Sequence, residues 1–259
     1  MPLAEKFALI RRAGFGGVML WGGPSSPDFG ADRSLENPRY AAMAREAGLT
    51  VENIHLPFDD MNHLWEDTPA GAECFHTLEQ CLERCAHEQI PVAVMHAEQG
   101  KTPAAMSELG FLRFERLARR AEQLGVKIAL ENMRRAHQIE RAEMLLERLD
   151  SPNFGICFDA GHWHARLKEF DWLSRWPERI IALHLHDNLD VVTGEGDDLH
   201  WIPGNGTIDW AALMPRLPQR LSVALELEPD PNELPPEAFY SLAYERAQWL
   251  EGLRTEVVE

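Results

Sequence analysis

The chain has 259 residues, with 42 Asp and Glu against 25 Lys and Arg, a formal charge of −17. Hydrophobic residues make up 45% and charged residues 26%, enough to bury a sizeable core and too apolar for a disordered chain. The acidic balance disfavours nucleic acid, because gripping a phosphate backbone needs segregated Lys and Arg, and the basic runs here go no further than Arg119-Arg120 and Arg134-Arg135.

The chain opens on a helical pattern, Leu3 to Ala13, and its charges break up any apolar core of a secretion signal. Seven short apolar runs follow in order: Gly17 to Trp21, Leu49 to His55, Pro91 to His96, Val126 to Glu131, Phe154 to Asp159, Ile180 to His184 and Leu221 to Glu226. Amphipathic helix patterns separate them, among them Ala72 to His87, Leu112 to Leu124, Ile139 to Leu149 and Pro236 to Leu253. None of the apolar runs approaches the length of about 20 residues that a membrane span needs. The expectation is a cytoplasmic protein with no membrane partner, forming a single domain over residues 1–259.

Strands alternating with helices predict a parallel sheet with helical crossovers, and runs this apolar suit strands covered on both faces. A doubly wound open sheet would carry a Gly-rich turn after an early strand, whereas Gly14-Phe-Gly-Gly17 precedes one. The pattern therefore predicts an α/β fold, a TIM-type (β/α) barrel with seven recognisable strands that lacks the usual first strand. Cys74, Cys81 and Cys85 fall on one helical face and read, with Cys157, as reduced core thiols in place of a metal or redox cluster.

In such a barrel the chemistry sits at the C-terminal ends of the strands. The runs end on Trp21, His55, His96, Glu131, Asp159, His184 and Glu226, so six of the seven close on a group able to bind a divalent metal. Imidazole and carboxylate without thiolate suit Zn, Mn, Fe or Co at an exchangeable site. Asp159-Ala-Gly-His162 adds an imidazole in a tight loop, and Asp198-Leu-His200 adds an i, i+2 pair before the Pro203-Gly-Asn-Gly206 turn. His186 follows His184 at two residues and can reach the same pocket, and Glu228 replaces Glu226 if that strand shifts by two. His63, His76, His87, His137 and His164 fall outside the ring.

The stretches Ile128-Ala-Leu-Glu-Asn132, Phe158-Asp-Ala-Gly-His162, Leu183-His-Leu-His-Asp187, Asp198 to Trp210 and Val223 to Pro229 resemble the xylose isomerase-like TIM barrel superfamily. That superfamily includes sugar-phosphate isomerases and epimerases and the endonuclease IV type of nuclease. The resemblance implies one metal held by Glu131, Asp159, His184 and Glu226. In the nuclease branch it implies three ions, the first on His55, His96 and Glu131 and the third on His162, Asp198 and His200. For His55 and His96, metal ligation and hydrogen bonding to substrate both stay open, as they do for the third set.

The first function expected is a metal-dependent sugar or sugar-phosphate isomerase, epimerase or related lyase. Glu131 and Glu226 would move protons, and His162 would orient a hydroxyl. Trp21, Trp163, Trp201 and His186 would contact a small sugar-like substrate, with Arg134, Arg135, Lys101 and Arg166 as the few rim cations. The alternatives are a multinuclear zinc phosphoester hydrolase and a non-catalytic sugar- or metal-binding barrel. One ion is expected and up to three can be accommodated; a homo-oligomer is compatible with all three readings.

Overall fold

The computed structural model describes residues 1–22, 40–166, 170–190, 198–228 and 234–255. In chain order the first half runs α1 (Leu3–Ala13), β1 (Gly17–Trp21), α2 (Tyr40–Glu46), β2 (Thr50–His55), α3 (Pro69–His87), β3 (Val92–Met95), α4 (Glu108–Leu124) and β4 (Lys127–Glu131). The second half runs α5 (Ala136–Arg148), β5 (Phe154–Asp159), α6 (Ala160–Arg166), α7 (Trp172–Arg175), β6 (Ile180–His184), α8 (Trp210–Leu213) and α9 (Pro236–Thr255).

Local chemistry sets the longer helices. Thr68 caps α3 by accepting the Gly71 amide at 3.1 Å, with Pro69 beginning the helix. Cys74, Phe75, Leu78, Cys81, Leu82 and Cys85 form the buried face of α3, and all four cysteines of the chain are reduced and buried. Ser107 caps α4 in the same way, at 3.0 Å to the Gly110 amide, and Gly125 ends it in the left-handed conformation.

The strands pair in sequence, β1-β2-β3-β4-β5-β6, every pair parallel, into a curled half-barrel with helices on its outer face. Six strands form among the described residues, where seven were expected. The seventh run, Leu221 to Glu226, continues the order beside β6 but makes only a bridge: Leu185 N–H donates to Ala224 O at 2.9 Å and Glu226 N–H to Leu185 O at 3.2 Å. Further back, side chains take the place of a ladder, since the Arg254 guanidinium donates to Leu221 O at 2.9 Å.

Alternation along the strands sorts two layers. Ile128, Leu130, Ile156, Phe158 and Leu183 face the helices in the main core. Val94, Ala129, Cys157 and Ala182 cluster on the other face, inside the barrel. The interior residues are small, which leaves the strand ends above them room for larger polar groups.

Candidate metal centre at the strand ends

Two residues beyond Val94, Ala129, Cys157 and Ala182 stand His96, Glu131, Asp159 and His184. A strand returns to the same face every second residue, so the interior parity of the small layer is also that of the polar one. His55 joins them from the end of β2, and all five are buried. Glu226 reaches the group from the bridged seventh run, while Glu228 is exposed, which settles the register between them.

The donors fall into three adjoining groups. In the first, His55 Nε2 and His96 Nε2 lie 3.2 Å apart, at 3.3 and 2.7 Å from Glu131 Oε2. In the second, His184 Nδ1 lies 2.8 Å from Glu131 Oε1 and 2.9 Å from Glu226 Oε2, with an Asp159 oxygen in the same cluster. Glu131 therefore spans both groups with its two oxygens. In the third, His162 Nε2 is 3.0 Å from Asp198 Oδ2 and His200 Nε2 is 3.2 Å from Asp198 Oδ1. His186 completes it, stacked on His200 with ring centroids 4.1 Å apart and Nε2 at 3.1 Å from both Asp159 oxygens.

This arrangement fits a divalent cation on two observations. His55 Nδ1 must donate to Leu56 O at 2.9 Å, so in the neutral ring Nε2 carries a bare lone pair, aimed at His96 and Glu131. One proton on His184 Nδ1 can serve Glu131 Oε1 but not Glu226 Oε2 as well, and Glu226 Oε2 is left without a hydrogen bond. The donor set is nitrogen and oxygen, as Zn, Mn, Fe or Co accept.

The electrostatics agree. Burial pushes the Glu131 carboxyl up, but the His184, His55 and His96 rings overcome it and hold the group well below the usual range. Burial opposes charge on Glu226 too, yet His184 brings it down to about 2. Burial disfavours charged His162 and His200, but neighbouring carboxylates raise both to about 10, Asp159 and Asp198 acting on His162 and chiefly Asp198 on His200. Three carboxylates this close stay ionised only with positive charge among them.

His162 lies on α6, where a tight loop was expected: the chain turns into helix at Ala160, and the His162 amide donates to Asp159 Oδ1 at 2.6 Å. Trp21 packs against His55 with centroids 4.7 Å apart. Trp201 is 38% exposed, and Trp163 packs on Phe158 with ring centroids 6.0 Å apart. Arg134 pairs with Asp198 at 3.5 Å; the side chain of Arg166 lies outside the described residues. Of the histidines set aside, His164 is buried and bonded to Thr207 Oγ1, and His137 lies 3.4 Å from the buried Glu98.

Four contributors escaped the sequence reading. Phe58 stacks on His96 at 4.7 Å and meets Trp21 edge-on. Asn132 accepts the Asp159 amide at 2.8 Å, donates to Asp159 O at 2.9 Å and offers its own carbonyl to His162 Nδ1. Asp187 is buried under four donors, the amides of Asn188, Gly204 and Ile208 and the Trp210 indole. Gln99 Oε1 lies 3.0 Å from His96 Nδ1. Asn132 and Asp187 stand inside quoted motifs and were within reach; Phe58 and Gln99 sit in loops with no periodicity to mark them.

A parallel half-barrel with histidines and carboxylates gathered at its strand ends defines a (β/α) barrel with a candidate metal site. The chain belongs to the xylose isomerase-like TIM barrel family, whose pattern matches residues 7–249. It is 27% identical to the uncharacterized protein y4fM of Sinorhizobium fredii, over 95% of this chain and 87% of that one. Among solved structures it resembles a xylose isomerase-like TIM barrel/4-hydroxyphenylpyruvate dioxygenase fusion protein, with a TM-score of 0.76, 18% identity and 98% of this chain covered. The chain spans only 41% of that fusion protein. It also resembles a D-tagatose 3-epimerase-like protein, with a TM-score of 0.70, 20% identity and coverage of 97% and 98%. A third likeness is the IOLI protein with a bound zinc atom, with a TM-score of 0.72, 20% identity and coverage of 99% and 94%. Among the described residues no helix is long and apolar enough to cross a membrane.

Proposed function

We propose that the protein is a metal-dependent isomerase or epimerase of a small sugar or sugar phosphate, or a lyase of the same proton-transfer chemistry. The observation that carries this is the placement of two carboxylates, Glu131 and Glu226, on the single nitrogen His184 Nδ1 at 2.8 and 2.9 Å. Asp159, Glu131, His184 and Glu226 would hold the ion, whose contribution when bound is to acidify the C–H beside a chelated carbonyl. Glu131 and Glu226 would move the proton off and back onto the substrate carbon, Glu131 from an oxygen released by the rings around it, since His184 holds its Oε1 and His55 and His96 its Oε2. His162, with Nδ1 committed to Asn132 O at 3.1 Å and Nε2 3.0 Å from Asp198 Oδ2, would orient a substrate hydroxyl together with Asp198. Trp21 and Phe58 supply an apolar wall for the C–H face of a sugar, and Trp201 and His186 line the other side.

The test is deuterium exchange from solvent into a panel of ketoses, aldoses and their phosphates. The metal-loaded protein should exchange the proton beside the carbonyl of its substrate, and Glu131→Gln should lower the rate about 10²- to 10⁴-fold. A panel member turned over equally well by Glu131→Gln overturns the assignment.

A second reading, a multinuclear phosphoester hydrolase, is favoured by one observation: His162, Asp198 and His200 form a third donor group beside the first two. A small phosphoester would suit it better than nucleic acid, since the chain stays strongly negative even with three divalent ions. Hydrolysis of phosphoesters without isomerisation of any sugar would decide for it. Tight sugar binding with neither activity would decide for a binding protein.

A further inference from the structure

Four of the rings in this site turn Nδ1 to a main-chain carbonyl: His55 to Leu56 O, His162 to Asn132 O, His186 to Asp187 O and His200 to Glu226 O. A carbonyl only accepts, so each ring carries a proton on Nδ1; His55 Nε2 then faces His96 and Glu131, while Nε2 of His162, His200 and His186 lies against the carboxylates of Asp198 and Asp159. His96 differs, because its Nδ1 meets a side chain, Gln99 Oε1, at 3.0 Å. An amide can offer either an acceptor or a donor. With the acceptor toward His96, Nε2 is a ligand; with the donor, Nε2 holds the proton and cannot bind a cation.

The segment carrying Gln99 is held from two sides. Asn62 accepts the Gln99 amide and donates to Gln99 O, both at 2.8 Å, and the Trp65 indole donates to Ala97 O at 2.9 Å. The buried Glu98 carboxylate takes the Ala104 amide at 3.1 Å and the Arg141 guanidinium of α5 at 3.0 Å. Such fixing costs chain entropy and buries charge.

We propose that Gln99 is a positioning residue for the His55–His96–Glu131 group: it accepts the His96 Nδ1 proton and so directs His96 Nε2 as a ligand for a divalent cation, distinct from the ion on Glu131, Asp159, His184 and Glu226. The inference rests on the metal reading above, in which the family resemblance already implies an ion on the first group, and adds the role of Gln99 in setting the His96 tautomer. Partners on the far nitrogen of a ligand histidine typically change metal affinity 10- to 100-fold.

The experiment uses the full chain stripped with chelator and titrated with zinc against a competing chelator, alongside long-range proton–nitrogen NMR of the zinc-loaded protein. In the wild type, His96 should show a protonated Nδ1 and a zinc-bound Nε2. Gln99→Leu should weaken one class of zinc site about 10- to 100-fold and leave another unchanged. Gln99→Glu, which keeps the acceptor, should restore it. Zinc on His96 Nδ1, unchanged zinc uptake in Gln99→Leu, or failure of Gln99→Glu to restore it overturns the role of Gln99 and leaves the isomerase reading standing. A wild type that binds no zinc at either group overturns both. The nitrogen signals of the wild type decide the matter even if Gln99→Leu does not fold.

Discussion

Glu131, Asp159 and His184 at the strand ends owe their place to a parity that each shares with a small residue two positions earlier. Ala129 and Glu131, Cys157 and Asp159, Ala182 and His184 alternate inward with Leu130, Phe158 and Leu183 outward. That pattern is readable from the sequence, because apolar runs that stop on a polar group announce both the strand and its end. The partners of the rings were not readable, since Phe58 and Gln99 lie in loops and reach His96 only through folding. The raised values of His162 and His200 also predict a pH effect. A histidine raised from 6.5 to about 10 adds stability that is complete below pH 6.5 and is lost as the pH climbs through about 10. Thermal melts of the metal-free protein should therefore fall from pH 6.5 to 10, and less steeply in a His162→Asn, His200→Asn double variant. Equal slopes would contradict the pairing of these rings with Asp198.

Among the elements, the stretch from Asp198 to Trp210 has hardly any regular structure, yet it delivers Asp198 and His200 to the site. Asp187 holds it there: its backbone pairs with Trp201 in both directions, and its carboxylate takes the Gly204 and Ile208 amides and the Trp210 indole. A Cβ on Gly206 would collide with that carboxylate, which explains a glycine in the turn. Asp187→Ala would strip several buried donors at once, and denaturant unfolding should show a loss on the order of 3 kcal/mol. An unchanged midpoint would mean that the segment is held by something else. The helices were legible in place, although α4 begins at Glu108 and α5 at Ala136, a few residues before their apolar periodicity starts. The seventh run was misread as a strand because its apolar composition is that of one. What it lacks is a neighbour along its whole length: Arg254, far off in sequence, satisfies the carbonyl of Leu221.

For the whole molecule, the charge of −17 is partly internal, since Glu131, Asp159 and Glu226 are drawn together at one end of the barrel with Asp198 beside them. Ions that bind the folded chain and not the unfolded one must raise its stability, by about 2.7 kcal/mol for free metal at 100 times Kd. Removing metal with chelator should lower the melting temperature, and zinc or manganese should restore it; melting insensitive to both would argue against any ion here. Metal content after purification without chelators then separates the readings, at about one ion per chain for an isomerase with a single site and about three for the hydrolase. Two ions would agree with an occupied His55–His96–Glu131 group. The order of strands and helices, and the residue types at each strand end, follow from the chain alone, because alternation and amphipathic spacing are local properties. Convergence is not local. That Glu131 touches both His96 and His184, that Glu226 and not Glu228 enters the site, and that Gln99 faces His96 depend on how far the sheet curls, which packing across the whole barrel decides.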